Sequence, residues 1–121
     1  MVRKVITIAL LVAAFAGVYY LGLRKRSQRL GTFARCLTAK QAKMYGLSWC
    51  PHCEDEKQLF GSSFQYINYI ECGVLKSHDE TASCTQAGIK HFPTWEFAGG
   101  KRLEGALSLQ TLGEKTGCGL P

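Results

Sequence analysis

Cys50-Pro51-His52-Cys53 sets two thiols three positions apart, a spacing that puts both on one helical turn and lets them close a disulfide across it. The run before them, Met44-Tyr45-Gly46-Leu47-Ser48-Trp49, is apolar and short, as a buried strand is. Pro51 suits the first turn of a helix, where its missing N–H would be unbonded anyway, and Glu54, Asp55 and Glu56 put negative charge where the helix dipole favours it. Cys50 is therefore expected at a helix N-terminus, facing unpaired N–H groups that stabilise a thiolate. His52 can add a hydrogen bond or positive charge to the reduced form, and the three acids act against it. Stabilising the thiolate makes the disulfide more oxidising. A zinc half-site is the competing use of such a pair, but a second Cys-x-x-Cys is missing and His52 sits inside the pair. The expected cofactor is a redox-active disulfide, with no metal.

The elements that must hold this pair can be read on either side of it. Residues 32 to 43 suggest a short helix with Phe33, Leu37 and Cys36 facing inward, and the helix opened by Pro51 should stop at Gly61-Ser62-Ser63. Phe64 to Cys72 alternates aromatic and β-branched residues and predicts a strand. A polar loop follows over 73–80, then a short helix over 81–88 ended by Gly88. Thr94–Ala98 and Lys101–Gly105 flank Gly99-Gly100, a hairpin signal because glycine tolerates the positive φ of tight turns. A last helix is expected over about Ser108 to Lys115. From residue 44 the order is β-α-β-α-β-β-α, an α/β class.

Three features of residues 33–121 together resemble the thioredoxin superfamily: the Cys50/Cys53 pair after an apolar strand ending in Trp49, Phe92-Pro93-Thr94 entering a later strand, and the closing hairpin and helix. The resemblance implies a glutaredoxin-sized, three-layer thioredoxin-like domain. It also implies a cis bond before Pro93, and a substrate groove shaped by Trp49, Phe92, Pro93 and Thr94 beside the cysteines, with Pro51 and His52 supporting them. Residues 33–72 and 88–97 look most like the thioredoxin-like domain associated with bacterial and plastid homologues of vitamin K epoxide reductase. That likeness implies exchange of disulfides between substrate proteins and a quinone-reducing membrane protein. The four-helix quinone-binding part has no counterpart here, so a separate partner is implied. Two positions depart from the pattern. His91 stands where related domains often have a small residue, and Met44 stands where thioredoxins carry a buried acid that assists proton transfer from the second cysteine. Water, Glu54 or the substrate is left to serve instead.

Of the other cysteines, Cys72 and Cys84 enclose a short loop whose closure is worth about 3 kcal/mol in the chain-entropy model. A Cys72–Cys84 disulfide is expected. Cys36 and Cys118 are left either as a second bridge by elimination or as two separate thiols. Trp95 is assigned to core packing and His78 to a solvated loop.

Val5 to Leu23 is a run of nineteen uncharged, mostly apolar residues, about 28 Å as a helix, which matches the hydrocarbon thickness of a bilayer. Tyr19 and Tyr20, followed by Arg24, Lys25 and Arg26, are interfacial anchors of the usual kind. The rival reading is a cleaved signal peptide, because Ala14-Phe15-Ala16 has the form of a cleavage site. Residues 1–31 are accordingly read as a membrane anchor with a basic linker, and 32–121 as the thioredoxin-like domain.

Of 15 basic and 9 acidic residues, residues 1–30 hold Arg3, Lys4, Arg24, Lys25, Arg26, Arg29 and no acid. The remainder is neutral, which argues against nucleic acid as a partner. Flanking charge leans weakly toward a cytoplasmic domain, whereas six cysteines in 121 residues argue for an oxidising compartment. The density of cysteines carries more weight, so an extracytoplasmic domain is expected. The functional reading is a membrane-tethered thiol-disulfide oxidoreductase acting on protein thiols. The alternatives are a non-catalytic binding subunit with static disulfides and, more weakly, metal delivery through Cys50 and Cys53.

Overall fold

The computed structural model describes the whole chain, Met1 to Pro121. It begins with one helix of 38 residues, α1 (Val2–Ala39), where the sequence suggested a membrane helix, a linker and a separate short helix. Residues 25–31, expected to be linker, contain no proline and a single glycine, so nothing there interrupts the helical hydrogen-bond ladder. An 18-residue stretch of α1 has mean hydropathy 2.2 and none of it is buried, a property shared by membrane spans and signal sequences. The other end of the same helix buries Phe33, Ala34 and Leu37. It stops at Ala39, short of the expected residue 43, and the chain reverses through Gln41 at φ 64°.

Four strands form one sheet in the order β2-β1-β3-β4. β1 (Lys43–Gly46) pairs in parallel with β2 (Asn68–Glu71) and antiparallel with β3 (Thr94–Glu96), which pairs antiparallel with β4 (Arg102–Glu104). α2 (Pro51–Phe60) connects β1 to β2 and ends at Gly61, whose φ of 53° suits glycine. The strand expected over 64–72 is real only from Asn68 to Glu71, and Gly61–Tyr66 is a 3-10 turn instead. α1 explains the difference. Thr38 Oγ1 donates to the Tyr66 carbonyl at 2.7 Å and accepts from the Asn68 N–H at 3.1 Å, occupying backbone groups a longer strand would have paired.

α3 (Ala82–Gln86), the Gly99-Gly100 hairpin and α4 (Leu109–Thr116) fall where the sequence placed them. Ser108 caps α4 by accepting from Thr111 N at 3.1 Å.

Successive residues of β1 point to opposite faces of the sheet, and each face has its own core. Met44 belongs to the larger one, with Phe33 and Leu37 of α1, Cys53 and Phe60 of α2, Trp95 of β3 and Leu112 of α4. Tyr45 belongs to the smaller one, with Cys72, Cys84 and Ile89 under α3. The sheet therefore has helices on both faces, and the N-terminus of α2 is anchored in the larger core. Cys36–Cys118 and Cys72–Cys84 are both disulfide-bonded. The first bridge joins α1 to the segment after α4, and the second ties the end of β2 to α3.

Candidate active site

β1 delivers the chain into a tight turn, closed by Cys50 N donating to Leu47 O at 3.2 Å, and α2 starts immediately after it. Cys50 is the N-cap residue of α2 with extended backbone (φ −88°, ψ 119°), and its carbonyl accepts the first helical hydrogen bond from Glu54 N at 3.1 Å. Pro51 takes the first helical position as expected. These two residues and Cys53 thus stand in the arrangement read from their spacing.

Cys50 and Cys53 are both free thiols, and their surroundings differ sharply. Cys50 is partly exposed, so an incoming disulfide or thiol can reach it. Cys53 is fully buried. That burial pushes the Cys53 thiol up to about 12, the Cys50 side chain beside it adds to the rise, and the Leu47 backbone N–H and the Lys57 charge work against it. Of the two thiols, Cys50 is the reachable one, and burial favours the protonated form of Cys53.

The second wall comes from the segment before β3. The Phe92–Pro93 bond is cis, Pro93 is buried, and the Cys50 thiol donates to the Phe92 carbonyl at 3.6 Å. Phe92 packs against both cores, so it bridges the two faces of the sheet beside Cys50. Thr94 is buried, and its hydroxyl donates to the His91 carbonyl at 2.6 Å. It shapes this wall from within. Trp49 immediately precedes Cys50 and is partly exposed, with its ring 5.0 Å from that of His78. His78 is an exposed loop residue, as expected, and its ring also packs on the tryptophan. The largest concavity of the molecule is elsewhere, along α1 near Pro121, and it is not lined by Cys50 or Cys53.

His52 is exposed, with Nδ1 3.8 Å from the Asp55 carboxylate, its i+3 neighbour. His91 is likewise exposed, and its Nε2 lies 3.8 Å from Glu104. Met44 is fully buried in the larger core, and Glu54 is exposed. No cluster of three metal-ligating side chains is present.

This geometry can be set beside known proteins. Over 91 residues the chain is 40% identical to the thiol-disulfide oxidoreductase LTO1 of Arabidopsis thaliana. It is similar to an oxidoreductase of thiols and disulfides. The match takes in 72% of this chain, and the chain spans about a quarter, 24%, of that relative. No family model matches the chain.

Glu56 departs from what its sequence neighbours suggested. It shares a face of α2 with Cys53 and Phe60, and it is 1% exposed. Its carboxylate accepts from Trp95 Nε1 at 3.2 Å and from Leu107 N at 2.9 Å. Burial pushes the carboxyl up to about 7, with the two donors opposing. Spacing carried a signal for this, since residues 53, 56 and 60 follow the three-then-four rhythm of a helix face.

Proposed function

We propose that the chain is a membrane-tethered, thioredoxin-like thiol-disulfide oxidoreductase whose working groups are Cys50 and Cys53. The observation that carries this reading is the contrast among the cysteines. Four are locked in disulfides, and the remaining pair is free, at a helix N-terminus, with one thiol reachable and one buried. The helices on both faces of the sheet and the cis Phe92–Pro93 bond beside Cys50 agree with the thioredoxin-like assignment. So does the 40% identity to a thiol-disulfide oxidoreductase.

In the reducing direction, the Cys50 thiolate attacks a substrate disulfide, forming a mixed disulfide and releasing one substrate thiolate. The Cys53 thiolate then attacks Cys50 Sγ, the bond from Cys50 to the substrate breaks, and the second substrate thiolate leaves. The substrate disulfide is reduced by two electrons and the Cys50/Cys53 pair is oxidised. In the oxidising direction the same steps run backward. A substrate thiolate attacks Cys50 of the closed disulfide and Cys53 leaves as a thiolate. We favour the oxidising direction, in an extracytoplasmic compartment, with electrons passed on to a vitamin K epoxide reductase-like quinone-reducing protein in the membrane. Six cysteines and two disulfides support that compartment, and the exposed apolar span of α1 supplies the tether.

Trp49, Phe92 and Pro93 line the approach to Cys50 and are assigned to holding the substrate chain. Pro51 fixes the start of α2. The test is trapping. With Cys53→Ala, the full chain should accumulate substrate proteins disulfide-bonded to Cys50, released by reductant and absent when Cys50 is also replaced by Ser. No trapped species under oxidising conditions overturns the mechanism and favours the static binding subunit.

A further inference from the structure

Resolution of the mixed disulfide requires a proton to leave Cys53, which is fully buried. The position six residues before Cys50 is Met44, which cannot accept it. Two residues of β2 lead from that thiol to the surface. Tyr69 Oη and Cys53 Sγ both lie within 3.3 Å of the point where a Cβ would project from Gly46. Gly46 puts no side chain between them. The Tyr69 hydroxyl in turn donates to Glu71 Oε2. Glu71 is exposed, and its other oxygen accepts from Ser48 N at 2.9 Å and Gly73 N at 3.1 Å. These bonds pin the carboxylate while leaving it open to water.

We propose that Tyr69 and Glu71 form the proton relay that serves Cys53, taking the place of the acid missing at Met44. The inference rests on the redox role of Cys50 and Cys53 proposed above. In the resolving step Cys53 gives its proton to Tyr69 Oη as Tyr69 passes its own to Glu71 Oε2. The Cys53 thiolate attacks Cys50 Sγ, the substrate thiolate departs with the bonding electrons and takes a proton from water, and Glu71 releases its proton to water. In the oxidising direction the relay runs backward and protonates Cys53 as it leaves. The phenol gains one proton as it gives one, so it is never required to ionise. This suits its setting, where burial and the neighbouring Glu71 hold the phenol strongly toward its neutral form. The charged and titratable groups facing Tyr69 are Glu71 on its own strand, Cys50 and Cys53 at the start of α2, and Lys57 of α2, whose Nζ is 4.5 Å from the ring centroid.

The test follows both steps in one reaction. The full chain in detergent micelles, with Cys50 and Cys53 reduced and both structural disulfides intact, is mixed with excess 5,5′-dithiobis(2-nitrobenzoate), which releases one coloured thiolate when Cys50 attacks and a second when Cys53 resolves. Tyr69→Phe and Glu71→Gln should leave the first release within about twofold of the parent. Each should slow the second by about tenfold or more at neutral pH, within the range of general acid–base catalysis. The second release should also depend more steeply on pH in the variants, because hydroxide then replaces the relay. Equal slowing of both phases, or a second phase with the parent's rate and pH slope, overturns the relay and leaves the redox reading intact. A parent that shows no second release overturns the redox reading itself.

Discussion

Six cysteines of identical chemistry fall into two classes in this chain, four bonded and two free, and location separates them. Cys36–Cys118 and Cys72–Cys84 join positions 82 and 12 apart in sequence, and Cys72, Cys84 and Cys118 are buried. Cys50 and Cys53 join nothing that α2 does not already hold together. A bridge between them constrains one helical turn and leaves the fold unchanged, whereas the outer bridges constrain the chain. A disulfide can cycle where it is structurally redundant and reachable. Where it closes a stretch of chain that nothing else holds, it is part of the framework.

The sharpest way to break this contrast is to exchange the two classes by mutation. Cys50→Ser should abolish thiol-disulfide exchange with a disulfide-bonded peptide substrate, a loss of several orders of magnitude, with unchanged stability. Cys36→Ser paired with Cys118→Ser should do the reverse, keeping exchange and losing stability. If exchange persists without Cys50, or vanishes without the outer bridge under folded conditions, the division fails.

Within the framework class the two bridges should differ by loop length. Cys36 and Cys118 are separated by 82 positions and Cys72 and Cys84 by 12, so the chain-entropy model assigns about 4.5 kcal/mol to the first and about 3 kcal/mol to the second. Urea unfolding of the full chain in detergent, followed by Trp95 fluorescence, should rank the paired Ser variants in that order. The opposite ranking would mean that the Cys72–Cys84 bridge holds more than its loop, for example the smaller core around Tyr45 and Ile89.

The same contrast bears on what the sequence made legible. The placement of Cys50 and Cys53 at a helix start, the Gly99-Gly100 hairpin and the stop at Gly61 all depend on residues within a few positions of one another. All of them stand as expected. The errors arose where distant residues decide. Thr38 of α1 turns Gly61–Tyr66 away from the sheet, across 28 positions to Tyr66, and no local pattern in Phe64 to Cys72 registers it. α1 continues through its basic stretch because nothing there breaks it, which composition had suggested as a linker. Glu56, Glu54 and Asp55 look alike as acids at a helix start. Helical phase alone separates the one under the sheet from the two in water.

Glu56 provides the next prediction. Glu56→Ala leaves Trp95 Nε1–H and Leu107 N–H without acceptors and should cost about 2–5 kcal/mol, read from the urea midpoint. Its pH dependence has a definite sign. The folded carboxyl titrates at about 7 against an ordinary 4.5, so between those values the folded chain keeps a proton that the unfolded chain has lost. The stabilisation is fully present below 4.5 and fades as pH rises toward 7. Glu56→Gln should flatten that decline relative to the parent, and a parallel decline would place its origin elsewhere.

Glu96 should show the smallest effect, with the opposite sign. It sits on β3 between Lys43 Nζ at 2.9 Å and Arg102 Nε at 2.7 Å. Burial favours the neutral carboxyl, but the hydrogen bonds from Lys43 and Arg102 and their charges outweigh it and hold Glu96 below the ordinary carboxylate range. The stabilisation is therefore present above the unfolded value near 4.5 and is lost as pH falls through the lower folded value. The cation partners are about one-third exposed, which screens the pair, so Glu96→Gln should cost about 1 kcal/mol or less at neutral pH. That cost should shrink in acid, while the cost of Glu56→Ala should grow there. Urea midpoints of the two variants against the parent at pH 4 and pH 7 test the crossing directly. Two variants that move in parallel with pH would mean that burial depth does not separate these two carboxylates.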